Sequence, residues 1–129
     1  MHSIDKVIAE IASFQRVDDN WLGLDELVTE LWRKYDPSVG IDALFKVFEN
    51  YPTDDGGGVF WTILHGLETL EYEEKLVDSL VRKPSLMAIT MLVRIENTGN
   101  DHIAGKSISQ LRKMIKNHPG THPELLSEI

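Results

Sequence analysis

The sequence predicts an all-α fold of about seven amphipathic helices, stacked as successive antiparallel pairs into an α-solenoid or bundle. Three observations carry this expectation. Apolar residues recur at helical spacing almost throughout the chain. Capping and helix-breaking residues fall between the apolar stripes. Alternating, β-branched-rich runs bounded by turns are absent. The best strand candidate, Val59-Phe60-Trp61-Thr62-Ile63-Leu64, continues through Leu67 and Leu70 behind a cap, which favours helix.

Ile4, Val7, Ile8, Ile11 and Phe14 form the first stripe. Asp19 and Asn20 can cap a second helix, which carries Trp21, Leu24, Leu27, Val28, Leu31, Trp32 and Tyr35. Asp36 followed by Pro37 suits the start of a third, with Leu44, Phe45, Val47, Phe48 and Tyr51, and Pro52 stops it. Asp54 or Asp55 caps a fourth, built on Phe60, Ile63, Leu64, Leu67 and Leu70. Tyr72, Leu76, Val77, Leu80 and Val81 mark the fifth. Pro84 breaks the run, because Lys83 before it is driven from the helical region. Leu86, Ile89, Leu92, Val93 and Ile95 follow as the sixth. Asn97 to Asp101 reads as a loop ending in a cap. Ile108, Leu111, Met114 and Ile115 make the seventh, closed by His118-Pro119-Gly120, with a short turn at Pro123. No repeat of fixed period and no linker stands out, so residues 1–129 read as one domain.

The 129 residues are 42% hydrophobic and 26% charged, enough apolar material for a core without staples. There is no cysteine, which excludes disulfides, thiolate metal sites and a cysteine nucleophile. The start lacks a basic segment followed by an apolar one, so a cytoplasmic location is expected. Apolar stretches fall far short of the roughly 20 residues that span a bilayer. The net charge is −8: residues 1–80 hold 17 acids and 6 bases, residues 81–129 hold 4 acids and 7 bases. Such a body repels phosphates and anionic membranes and attracts basic proteins, so neither nucleic acid nor membrane is an expected partner.

Motifs for chemistry are weak. Gly105-Lys106-Ser107 ends like a phosphate-binding loop, but the glycine needed at position 100 is Asn100 and no strand precedes it. A helical turn is the simpler reading, with Ser107 and Gln110 spaced as a capping box if the helix starts late. Asp54-Asp55 ahead of Gly56-Gly57-Gly58 repels an anion and lacks the spaced ligands of a calcium loop. It is either a flexible loop with a helix cap or an acidic loop that a partner contacts. His65 and Glu68 share a helix face, but the order is reversed from the Glu-x-x-His of di-iron bundles and no second copy exists. No nucleophile is placed beside them. No catalytic residue, metal ligand or cofactor is therefore assigned, and the chain is not expected to be an enzyme.

Placement is more informative. Trp61, His65, Glu68 and Tyr72 are spaced i, i+4, i+7 and i+11, one stripe beside the apolar one. Half-exposed, such a row suits protein recognition, since tryptophan and tyrosine are enriched in binding hot spots. Buried, the two aromatics would simply pack under neighbouring helices. Glu68, Glu71, Glu73, Glu74 and Asp78 continue the row as an acidic run. Joined to Asp54 and Asp55, it would form one negative patch that speeds encounter with a basic partner. The candidate partner-binding set is Asp54, Asp55, Trp61, His65, Glu68, Glu71, Tyr72 and Glu74.

The segment from Asp54-Asp55-Gly56 through Trp61 and His65-Gly66-Leu67-Glu68 carries a resemblance, together with Lys83-Pro84-Ser85 and Arg94-Ile95-Glu96-Asn97-Thr98-Gly99. Over roughly residues 20–118, the chain resembles the small helical immunity proteins of bacterial polymorphic toxin systems, including contact-dependent growth inhibition. The resemblance implies a HEAT-like helical fold and no activity of its own. It implies a cognate toxin C-terminal domain as partner, expected to be basic and in many systems a nuclease, whose active site or substrate access is blocked. Asp55, Trp61, His65, Glu68 and Tyr72 lie in the matching region, either as toxin contacts or as shapers of the fold; Arg94 and Asn97 could equally be structural. The alternative expectation is a HEAT-like scaffold or adaptor that binds an endogenous partner.

Overall fold

A computed structural model describes residues 3–18 and 20–129. It contains α1 (Ile4–Ala12), α2 (Leu22–Trp32), α3 (Ile41–Asn50), α4 (Val59–Leu67), α5 (Glu73–Arg82), α6 (Leu86–Asn97) and α7 (Ile108–Asn117). Each predicted apolar stripe has its main part on one of these seven helices, but Phe14, Trp21, Tyr35, Tyr51, Leu70 and Tyr72 fall beyond the helix ends, and Tyr35 and Val81 are exposed instead of joining the core. The fold is all-α apart from one small hairpin, β1 (His102–Ile103) with β2 (Lys106–Ser107).

The helices form two layers. Helix α3 touches α1 and α5, and α5 touches α7; in the other layer α4 touches α2 and α6. Consecutive helices α1 and α2, α3 and α4, and α5 and α6 pack across the layers. This is the stacking of an α-solenoid, in which each helix pair covers the apolar face of the next. Within the second layer α2 and α4 run in the same direction. Trp21, just before α2, lies against Gly57, just before α4, while Trp32 at the end of α2 lies against Gly66 near the end of α4. A Cβ on Gly66 would sit 2.3 Å from the Trp32 ring, so the glycine is the notch that lets the two helices close up.

One continuous core joins buried side chains from all seven helices and Ile103 of the hairpin. Phe45, Phe48 and Phe60 are its largest fully buried members. Each such ring removed from water contributes about 1.5–3 kcal/mol. Trp21 is a second focus. It stacks on Phe14 with ring centroids 6.1 Å apart and meets Tyr51 and Phe60 edge-on, each at 5.0 Å.

Several boundaries differ from expectation, each for a local reason. Asp19 as a cap lies outside the described residues. The other candidate, Asn20, accepts from the Leu22 N–H at 2.9 Å, while Trp21 occupies the cap position itself. Asp36-Pro37 opens a 3-10 turn, Pro37–Gly40, and the α-helix begins only at Ile41. Asp54 and Asp55 do not cap α4. Their carboxylates accept from Gly56 and Gly57 N–H, in the 3-10 turn Gly56–Gly58, and Gly58 at φ 96° precedes the helix. The loop expected at 97–101 leads into the hairpin, where Ala104 and Gly105 both have positive φ as a type I′ turn requires. Two-residue strands are too short to show an alternating pattern. The hairpin also replaces the helical turn expected at Gly105-Lys106-Ser107. Helix α7 does start late, and Ser107 caps it by accepting from the Gln110 N–H at 3.3 Å. The turn at Pro123 is a 3-10 segment, Pro123–Glu128, whose Leu125 is buried against the core. Among the described residues no helix is long and apolar enough to cross a membrane.

Candidate functional site

Helix α4 buries Phe60, Ile63, Leu64 and Leu67. The same helical period leaves Trp61, Thr62 and His65 on the outer face. Trp61 keeps 38% of its surface exposed, a large apolar area for a side chain that could have been buried. The His65 ring lies one turn on, 6.2 Å away between centroids and tilted by 37°. The His65 Nδ1 is 3.6 Å from a Glu68 carboxylate oxygen.

Glu68 is the C-cap residue of α4, and its partner comes from α6. Arg94 donates from Nε to Oε2 and from Nη2 to Oε1, both at 2.9 Å. This planar fork is the stronger geometry for a guanidinium and a carboxylate. It ties the ends of α4 and α6 together and holds Glu68 facing His65. The hydrogen bonds from Arg94 hold the Glu68 carboxyl below the usual carboxylate range against the opposing effect of burial, and the charges of Arg94 and His65 add to the lowering. A carboxyl depressed in the fold stabilises it above the ordinary carboxylate range and loses that contribution as pH falls through the depressed value. In a carbon-detected NMR titration, Glu68 is expected to titrate below the usual carboxylate range. Arg94→Gln should move its midpoint up toward that range; an unchanged midpoint would contradict the assigned cause.

Tyr72 departs from the expected stripe. Helix α4 stops at Leu67, so the i+11 register is never reached, and Tyr72 turns inward at the start of α5 with 8% exposure. Burial pushes its phenol above the usual tyrosine range, with the charges of Glu68 and Glu73 adding. It belongs to the core beneath the site. Glu71 and Glu74 are exposed, and with Leu70, Glu73 and Ala104 they border a shallow depression.

Asp54 and Asp55 lie at the other end of α4. About 13 Å of helix separates them from the acidic run beyond Glu68. The acids therefore form two groups rather than one patch. Asp54 is also occupied: its Oδ2 is 3.0 Å from Arg16 Nη1. Asp55 stays exposed. The structure thus brings Trp61, His65 and Glu68 together, adds Arg94, and places the two acidic groups at opposite ends.

Sequence reasoning missed what Arg94 and Arg16 do. Arg94 was legible only as a lone base in an otherwise apolar helix; its partner is 26 residues away. Arg16 carries no local signal, with Asp54 lying 38 residues along the chain. Among the described residues no three His, Asp or Glu side chains are grouped as a metal site would need. Comparison with known protein families, with curated proteins and with solved structures finds no match to the chain.

Proposed function

We propose that this chain is an immunity protein, which binds a cognate bacterial toxin domain in the cytosol and blocks its active site or substrate access without turnover of its own. One observation carries the reading most. The outer face of α4 leaves an indole 38% exposed beside His65 and a Glu68 carboxylate held in a guanidinium fork. An aromatic anchor with fixed polar neighbours is the chemistry of a binding hot spot. The net charge of −8 favours encounter with a basic toxin domain, and the exposed Glu71 and Glu74 add to that field. The resemblance of residues 20–118 to polymorphic-toxin immunity proteins points to the same partner class.

The experiment is co-purification with the product of the neighbouring toxin gene, followed by titration calorimetry. The native chain should form a stoichiometric complex and abolish the toxin's activity. Trp61→Ala should weaken binding at least about 30-fold, as expected for a hot spot of about 2 kcal/mol or more. Its circular dichroism should be unchanged, because the ring lies outside the core. Absence of any complex, or capture of only a housekeeping protein, would overturn the reading in favour of an adaptor.

A further inference from the structure

We propose that the loops preceding α2 and α4 together form an apolar, acid-rimmed dock for a cationic amphipathic segment of the partner protein, one that sets an aliphatic side chain beside basic ones. The proposal rests on the functional reading above, and locates a second contact region apart from Trp61.

The dock begins with two misplaced aliphatics. Val17 is 73% exposed and Leu22 60% exposed, more than any other described large hydrophobic residue except Tyr35. Asn20 links their backbones. The Val17 carbonyl accepts from the Asn20 N–H at 3.1 Å, and the Asn20 side chain accepts from the Leu22 N–H at 2.9 Å. Asp18 within this turn has φ 54°, a conformation that aspartate tolerates better than most residues.

Arg16 fastens this loop to the one before α4. Its backbone N–H donates to the Tyr51 hydroxyl at 2.8 Å, and its guanidinium meets Asp54 at 3.0 Å. The same guanidinium lies over the Trp21 ring at 5.1 Å and the Tyr51 ring at 5.7 Å. Trp21 in turn packs against Gly57, so both loops form one surface.

The charge on this surface has one sign. No lysine or arginine occurs from Val17 to Trp32 or from Val47 to Leu64. Asp18, Glu26 and Asp55 are all exposed there, and Glu26 stands one helical turn from Leu22. Arg16, the base beside them, is engaged with Asp54. A phosphate or an anionic lipid would be repelled by this rim. A free metal ion or a purely hydrophilic cation would leave Val17 and Leu22 wet. A segment bearing both lysine or arginine and an aliphatic residue satisfies both features.

The test uses the full chain, labelled with nitrogen-15 and titrated at low salt with a synthetic leucine–lysine peptide. A serine–lysine peptide of equal charge is the control. The leucine–lysine peptide should shift the amide signals of residues 16–23 and 54–58. Val17→Ser with Leu22→Ser should weaken it at least tenfold, as should Asp18→Asn with Asp55→Asn. The Asp55→Asn change keeps the oxygen that accepts from Gly57 N–H, asparagine tolerates the positive φ at position 18, and the replaced aliphatics are exposed, so folding is retained. Glu71→Gln with Glu74→Gln should change the affinity for both peptides alike and leave their ratio unchanged. Equal affinity for the serine–lysine peptide, shifts centred on residues 71–78, or indifference to the Val17 and Leu22 changes would overturn the dock. If the peptide binds here and no toxin is captured, the functional reading fails and the dock stands. If toxin is captured with equal affinity by the Val17→Ser, Leu22→Ser variant, the dock fails and the functional reading stands.

Discussion

Phe60→Ala is expected to lower the free energy of unfolding by about 3–5 kcal/mol, the range for deleting a fully buried aromatic. Phe60 has no exposed surface and sits where the two layers meet. Its ring lies 5.0 Å from Trp21 at 70° and 5.2 Å from Phe48 at 57°. Truncation removes both edge contacts and leaves a void bounded by rigid rings and the Gly56 backbone, a site that collapses poorly. At a urea slope of about 2 kcal/mol per molar, the unfolding midpoint should fall by roughly 2 M. A loss below about 1.5 kcal/mol would mean that the Trp21 cluster is held by something other than this ring.

Gly56→Ala should cost about 2–5 kcal/mol, through two additive causes. The residue sits at φ 64°, where a Cβ is disfavoured by roughly 1–2 kcal/mol. The added Cβ would also lie 2.3 Å from the Phe60 ring, and overpacking of that kind costs about 1–3 kcal/mol. The double variant separates the two. With the ring gone, only the backbone strain remains, so Gly56→Ala in the Phe60→Ala background should cost about 1–2 kcal/mol. Urea denaturation of the four proteins completes the cycle. Full additivity would show that the turn and the ring are independent.

The helices were legible because their signal is local. A stripe such as Phe60, Ile63, Leu64 and Leu67 reports its own period, and all seven stripes became helices, although Tyr35 beyond the end of α2 and Val81 on α5 are exposed rather than buried. Boundaries were less legible where a short turn intervenes. Asp36-Pro37 and Asp54-Asp55 carry capping chemistry, but that chemistry serves 3-10 turns ahead of the helices. The hairpin at 102–107 escaped because two-residue strands have no period to read. For the candidate site, Trp61 and His65 on one outer face followed from spacing alone. Tyr72 did not, since extrapolating one stripe across the end of α4 assumed a continuous helix. The clamps made by Arg94 and Arg16 depend on partners 26 and 38 residues away, which no local pattern encodes.

The unequal settings of the three tryptophans have an optical consequence. Trp21 is sealed among other rings and Trp32 is wedged beside Gly66, while the Trp61 indole opens to water. Iodide in solution should therefore quench a red-shifted share of the intrinsic fluorescence and leave a blue-shifted share untouched. Any macromolecule that settles over the outer side of α4 should shield that accessible emitter, so the native chromophore reports occupancy without an added dye.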